Sequence, residues 1–83
     1  MKIYKIWQTV NNGWDTYDSA IVVADNEEDA RMMSPSDIDD IYFDFTDNFS
    51  PWANNFEEVH CEYIGEAKKG MKKGVVVGSF NAG

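Results

Sequence analysis

Few residues in this chain are able to do covalent or metal chemistry. It holds one histidine, His60, and one cysteine, Cys61, and the two are adjacent. Neighbours on a strand point to opposite faces, so they cannot form a thiolate–imidazole pair with each other. One of each is also too few for a Cys/His metal site within a single chain. A lone cysteine closes no internal disulfide, which sets a reducing, cytosolic expectation. Asp37-Ile38-Asp39-Asp40 resembles the opening of a calcium loop. The glycine that such a loop needs at its sixth position is Tyr42, and its closing glutamate is Asn48, which rejects an EF-hand. Lys68-Lys69-Gly70-Met71-Lys72-Lys73-Gly74 mixes lysine with glycine but has neither P-loop spacing nor a following helix. Asp15, Asp18 and Ser19 have no identifiable partner base. The expectation is a protein that is not an enzyme, with no catalytic residue, metal ligand or cofactor.

Binding chemistry is better represented. The 83 residues include 15 acids and 7 lysines and arginines, for a formal charge of -8. All the acids lie in residues 15–66, where Arg31 is the only base. The termini are mildly basic through Lys2 and Lys5 at one end and Lys68, Lys69, Lys72 and Lys73 at the other. A central field of this sign repels nucleic acid and anionic membranes and attracts basic surfaces. Hydrophobic residues at 43% and aromatics at 14% argue against disorder and for one small folded domain, residues 1–83. No apolar run reaches the ~20 residues that span a bilayer, and no signal-peptide pattern opens the chain.

The elements that must position these groups read as strand, strand, helix, acidic helical segment, strand, strand. Residues 2–10 are rich in β-branched and aromatic types and predict a strand. Asn12-Gly13 signals a tight hairpin, and 14–24 is the returning strand. Asp25 is placed to cap a helix, with Glu28 in the capping-box position and Glu27–Arg31 as an i,i+4 pair. Pro35 stops that helix by Ser34, leaving Ala30 and Met33 as its core contacts. Residues 59–64, with Val59, Cys61 and Tyr63 on one face, and 74–80 predict two further strands. The economical fold is α+β: a small antiparallel sheet with helix packed on one face.

Two arrangements of side chains follow. A two-residue turn pairs position 11 with 14, 7 with 18 and 4 with 21. Tyr4, Ile6, Tyr17, Ile21 and Val23 then share the core face, and Trp7, Thr9, Trp14, Thr16 and Asp18 share the other. The second arrangement concerns 36–56. Read as a helix, it gathers Ile38, Ile41, Tyr42, Phe45 and Phe49 on one side. Asp37, Asp40, Asp44 and Asp47 fall opposite, about 5 Å apart along the axis, the scale of phosphates on a nucleic-acid backbone. A competing strand reading uses Ile41, Phe43 and Phe45 as an alternating face.

Four stretches carry a resemblance. They are N-N-G-W-D-T-Y-D-S-A-I-V-V-A, E-E-D-A-R-M-M-S-P, E-Y-I-G-E-A and the terminal G-V-V-V-G-S-F-N-A-G. Together they resemble a small family of uncharacterised phage and prophage proteins over roughly 1–36 and 57–83. Trp14 stands where the pattern has tyrosine and Ser34 where it has histidine, and 37–50 is longer and more acidic. The resemblance implies a phage setting in the host bacterial cytoplasm and supplies no catalytic residue.

Charge and resemblance together lead to one expectation and one alternative. The expectation is a phage-encoded inhibitor of a bacterial defence system, anti-CRISPR or anti-restriction in type. It would bind the basic, nucleic-acid-binding surface of a host protein or nuclease complex, without contacting nucleic acid or membrane itself. Asp37, Asp39, Asp40, Asp44 and Asp47 would supply charge, and Trp14 and Tyr17 apolar anchoring. The alternative is a binder of a small molecule or nucleotide signal, a sponge, with Trp7, Trp14 and Asp18 as its pocket.

Overall fold

A computed structural model describes residues 1–11, 13–36, 40–46 and 51–81. Four strands build one antiparallel sheet: β1 (Lys2–Trp7), β2 (Thr16–Ala24), β3 (His60–Glu66) and β4 (Gly74–Asn81). Their order across the sheet is β3-β1-β2-β4, so β3 and β4 are its two edges. One short helix, α1 (Glu27–Arg31), follows β2, and Phe56–Glu58 forms a single 3-10 turn. The fold is mostly sheet, compatible with a small α+β class.

Because β3 and β4 are consecutive but on opposite edges, residues 67–73 must cross the end of the sheet. Three strand spacings of about 4.8 Å are well within the reach of seven residues at ~3.4 Å each. The crossing is tied at both ends. The Ala67 N–H donates to the Met1 carbonyl (2.9 Å), and the Lys73 ammonium meets Asp25 at 2.6 Å and Asp29 at 3.2 Å.

One face of the sheet carries the core through Tyr4, Ile6, Ala20, Val22 and Ala24. α1 adds a single buried residue, Ala30; the rest of the cover is irregular chain through Met33, Trp52, Ala53 and Val59. Trp52 is the largest side chain wholly removed from solvent. Burial of such a ring stabilises by about 2–3 kcal/mol, so a coil segment does the work expected of helix. Arg31 holds this cover in place. Its guanidinium donates to the carbonyls of Val59 (2.9 Å) and Phe56 (3.3 Å) and lies 4.3 Å over the Phe56 ring. Arg31 is thus spent on backbone carbonyls and an aromatic face, where the sequence suggested a pair with Glu27.

Three local expectations shift. The helix cap is Asn26, whose side chain accepts from the Asp29 N–H (2.8 Å), while Asp29 reaches back to the Asp25 N–H (3.1 Å). This is capping-box logic moved on by one residue. The hairpin register also moves by one: Tyr4 lies opposite Val22 and Trp7 opposite Ser19. Ala20, Val22 and Ala24 therefore share the face of Tyr4 and Ile6, and Ile21 moves to the other face; Val23 moves with it but stays wholly buried, as expected of a core residue. The cause is Gln8, a buried amide whose oxygen accepts from the N–H groups of Val10 and Asn11 and whose nitrogen donates to the carbonyls of Asn11 and Tyr17. These four bonds tie Gln8 to both sides of the connection between β1 and β2; Asn12, on which the sequence places the two-residue turn, lies outside the described residues. Among the described residues of this connection, Asp15 takes a positive φ, 60°.

The acidic segment is the third correction. Residues 40–46 are not helical: the Ser34 N–H donates to Ile41 (2.8 Å) and the Phe43 N–H to Met32 (2.9 Å), bridging Met33 to Tyr42. Asp44 accepts from the Thr46 N–H and hydroxyl, a local bond that competes with helix. Phe43 and Phe45 pack against the core and meet edge to face at 4.9 Å, two of the three positions of the alternating reading; the third, Ile41, is exposed. A helical stripe through Asp40 and Asp44 does not form. Asp37, Asp39 and Asp47 lie outside the described residues.

Candidate functional site

The site begins with two irregularities in the pairing of β2 with β4. Tyr17 lies opposite Phe80 and Ser19 opposite Ser79, which leaves Asp18 as an extra residue. This bulge returns Tyr17 to the core face, beside the Phe80 ring at 4.8 Å. Asp18 is fixed by the Asn81 side-chain amide, which donates to it at 2.8 Å. A second shift, between Ile21 and Val22, makes Val76 the extra residue on β4.

Tyr17 and Phe80 form the aromatic floor of a cleft of ≈ 430 Å³. Ser34, Pro35 and Ser36 wall one side, and Tyr42, Phe43 and Pro51 line the remainder. Asp40 and Asp44 complete the lining, and both are exposed. A shallower extension of ≈ 300 Å³ shares Tyr17, Pro35, Ser36 and Phe80 and runs along Val75–Gly78 of β4. The walls approach closely at one point. A Cβ on Gly78 would stand 2.3 Å from the Pro35 carbonyl oxygen, so only glycine lets this wall meet the strand.

The surrounding bonds fix the walls. The Tyr17 N–H donates to the Pro51 carbonyl (2.8 Å). The Tyr42 hydroxyl donates to Asp29 (2.6 Å), which links the cleft wall to the start of α1 and, through Lys73, to the crossing loop. Burial pushes the Asp29 carboxyl up, but bonds from Tyr42, the Asp25 N–H and Lys73 together outweigh it and leave the group below its ordinary value. The hydroxyl and N–H of Thr46 hold the Asp44 carboxyl down as well. The cleft thus combines two aromatic faces with two exposed acidic side chains, Asp40 and Asp44. That combination suits a cationic side chain, held by ion pairing and by the ring quadrupole. It contains no thiol or imidazole. Cys61 packs against the core elsewhere, and burial, then Glu27, pushes its thiol up to about 11, so it is a poor nucleophile near neutrality.

Of the residues singled out from sequence, the structure brings Tyr17, Asp40 and Asp44 together in one cleft. Trp14 sits in the loop before β2, 78% exposed, and does not line it. The three residues of the alternative pocket have separate settings. Trp7 stacks on His60 at 5.3 Å with the Lys5 ammonium 5.6 Å from its ring, Trp14 is in the loop, and Asp18 is bonded to Asn81. Neither cleft is lined by any of them. Sequence reasoning missed Phe80, Tyr42, Pro35 and Pro51. The one legible signal was Gly78 inside an apolar strand, which marks close approach of another backbone. Among the described residues no group of three or more His, Cys, Asp or Glu is placed to hold a metal ion, and no helix is long and apolar enough to cross a membrane.

Fold and site together define a small, mostly-sheet domain with an acid-lined aromatic cleft beside one edge strand. Comparison with protein-family models, with curated proteins and with solved structures found no match.

Proposed function

We propose that this protein is a phage-encoded, non-enzymatic inhibitor of a bacterial defence system, acting in the host cytoplasm by binding a basic, nucleic-acid-binding surface of a host protein. The observation that carries this reading is the meeting of Tyr17 and Phe80 with Asp40 and Asp44 in one cleft, in a chain of charge -8. The resemblance of 1–36 and 57–83 to phage and prophage proteins supplies the setting. In this reading α1 and the coil that follows it act as a cover packed on the sheet, and their outer side presents the carboxylates. Phosphate-like helical spacing is no part of it. Charge density and aromatic anchoring do the work, so binding is stoichiometric and weakens with salt.

The test is affinity capture from a bacterial lysate on immobilised protein, washed at low and at high salt. The expected catch is a basic nuclease-complex or nucleic-acid-binding subunit that salt releases. The purified subunit should lose nucleic-acid binding when the acidic protein is added in equal amount. The double variant Asp40→Asn/Asp44→Asn should capture it at least tenfold less well. Capture that ignores both salt and the double variant contradicts the reading.

A further inference from the structure

We infer that β4 is a docking edge that takes up an extended, basic segment of a partner protein as a fifth strand, with that segment's cationic side chains in the Tyr17–Phe80 cleft. This deepens the proposed function and rests on it, because it specifies how the basic partner is held.

β4 lacks the usual protection of a sheet edge. An edge strand offers alternate N–H and C=O groups outward, and folded proteins blunt such edges with charge, proline or a cover. β4 reads G-V-V-V-G-S-F-N, with no charged residue and no proline. Among the described residues no strand pairs with its outer side. Beyond Val76, β4 has no extra residue of its own from Val77 to Asn81, where its inner side pairs with β2 across the Asp18 bulge and the Asn81 carbonyl accepts from the Asp15 N–H (2.6 Å). The backbone is therefore ready to accept another strand over about five residues.

The cleft beside it says what that strand carries. Tyr17, Gly78 and Phe80 lie on the core-side face of the sheet, where the cleft opens next to β4. A strand added at this edge projects every second side chain to that side, ~7 Å apart. Those side chains meet two aromatic rings and the carboxylates of Asp40 and Asp44. Lysine or arginine at alternate positions fits both. The intervening side chains fall on the opposite face beside Val77, 59% exposed, and suit small apolar residues.

A second copy of the chain is the other occupant that an open edge invites. Two-fold pairing of β4 with itself would bring together two chains of -8 each. Net charge of one sign opposes it, so charge selects a basic partner.

The probe is a capped eight-residue peptide alternating arginine with valine, compared with the same peptide carrying glutamate for arginine. The readout is amide hydrogen exchange across the protein, with affinity by titration calorimetry. The expected result is saturable slowing of exchange at 77–81 with the arginine peptide and none with the glutamate peptide. Val77→Lys should weaken binding at least tenfold, since it replaces an apolar contact by a cation beside a cationic strand. Ile64→Lys, on the opposite edge and 52% exposed, should leave binding unchanged. Thermal melts of both variants confirm that they fold.

Slowing at β3 instead of β4, equal binding of the glutamate peptide, or wild-type affinity in Val77→Lys would each overturn the inference. So would protection of 77–81 that grows with protein concentration alone, which would assign the edge to a second copy. The two levels separate cleanly. Arginine-peptide binding that depends on salt and on Asp40 and Asp44 without protecting 77–81 sinks strand addition and leaves the acidic-cleft reading standing. Binding that the Asp40→Asn/Asp44→Asn variant retains at every salt concentration sinks the reading itself.

Discussion

The two edges of the sheet are built on opposite plans. β3 reads H-C-E-Y-I-G-E, and Glu62 faces Lys5 while Glu66 faces Lys2 across the pairing with β1. Its residues are spoken for: His60 stacks on Trp7, and the Tyr63 hydroxyl donates to Glu66 at 2.6 Å while its ring meets Tyr4 edge to face at 5.8 Å. β4 carries no charge at all, and the acids near it stand back from the strand, across a cleft, at Asp40 and Asp44. Charges on a strand keep other strands away. Charges set across a cleft beside an uncharged strand select which strand approaches. On the proposed strand addition, the same amino-acid type protects one edge and selects the partner at the other.

Several changes break or sharpen that contrast, and the largest acts on the cover that creates it. Trp52→Ala removes the largest buried ring from the coil that walls the cleft, and should cost about 3–5 kcal/mol, read as a fall in the denaturation midpoint. A loss below 1 kcal/mol would mean that the coil is not a structural cover. Next comes a matched pair of glycines. Gly78→Ala in β4 drives a Cβ into the Pro35 carbonyl and should destabilise by about 1–3 kcal/mol. Gly65→Ala in β3 meets nothing within 4 Å and should be neutral or slightly stabilising. Equal costs at the two sites would remove the distinction between the edges.

A smaller effect tests the anchor of the cleft wall. The Asp29 carboxyl lies below its ordinary value in the folded chain, so its contribution is present above pH ~4 and is lost as pH falls through that depressed value. Asp29→Asn should therefore lower stability by about 1 kcal/mol at neutral pH and flatten the acid limb of the stability profile. An unchanged acid limb would show that Tyr42 and Lys73 do not hold this carboxylate. The smallest expected effect is on stability in Val77→Lys and Ile64→Lys. Both positions are more than half exposed, so each melt should move by no more than about 0.5 kcal/mol.

Much of this was legible in the sequence, and the losses have definite physical causes. The four strands and the short helix stand close to where period and branching placed them, with β1 ending at Trp7 and the cap moved to Asn26, and Ala30 and Met33 are wholly buried as expected. The register was misjudged because Asn12-Gly13 is a strong turn signal, whereas Gln8 reads as an ordinary polar strand residue. A buried amide bonded to the backbone of Val10, Asn11 and Tyr17 accompanies the observed register, and burial is a tertiary property. The acidic helix failed because period alone cannot separate a helix from an irregular strand when aromatics recur at 42, 43 and 45. The bonds that the Thr46 N–H and hydroxyl donate to the Asp44 carboxylate compete with helix there. Of the site, Tyr17, Asp40 and Asp44 were visible as types, but their meeting depends on the Asp18 bulge and on the approach of Pro35 to Gly78. Neither leaves more than a glycine as a trace.

The most direct test is a residue-by-residue map of backbone amide shifts as the basic subunit recovered from the host is added to isotope-labelled protein. The account predicts shifts concentrated at Tyr17, Asp40, Asp44 and 77–81, fading as salt is raised, with His60–Glu66 unmoved. Shifts concentrated on β3 and Trp7, with the cleft silent, would contradict it.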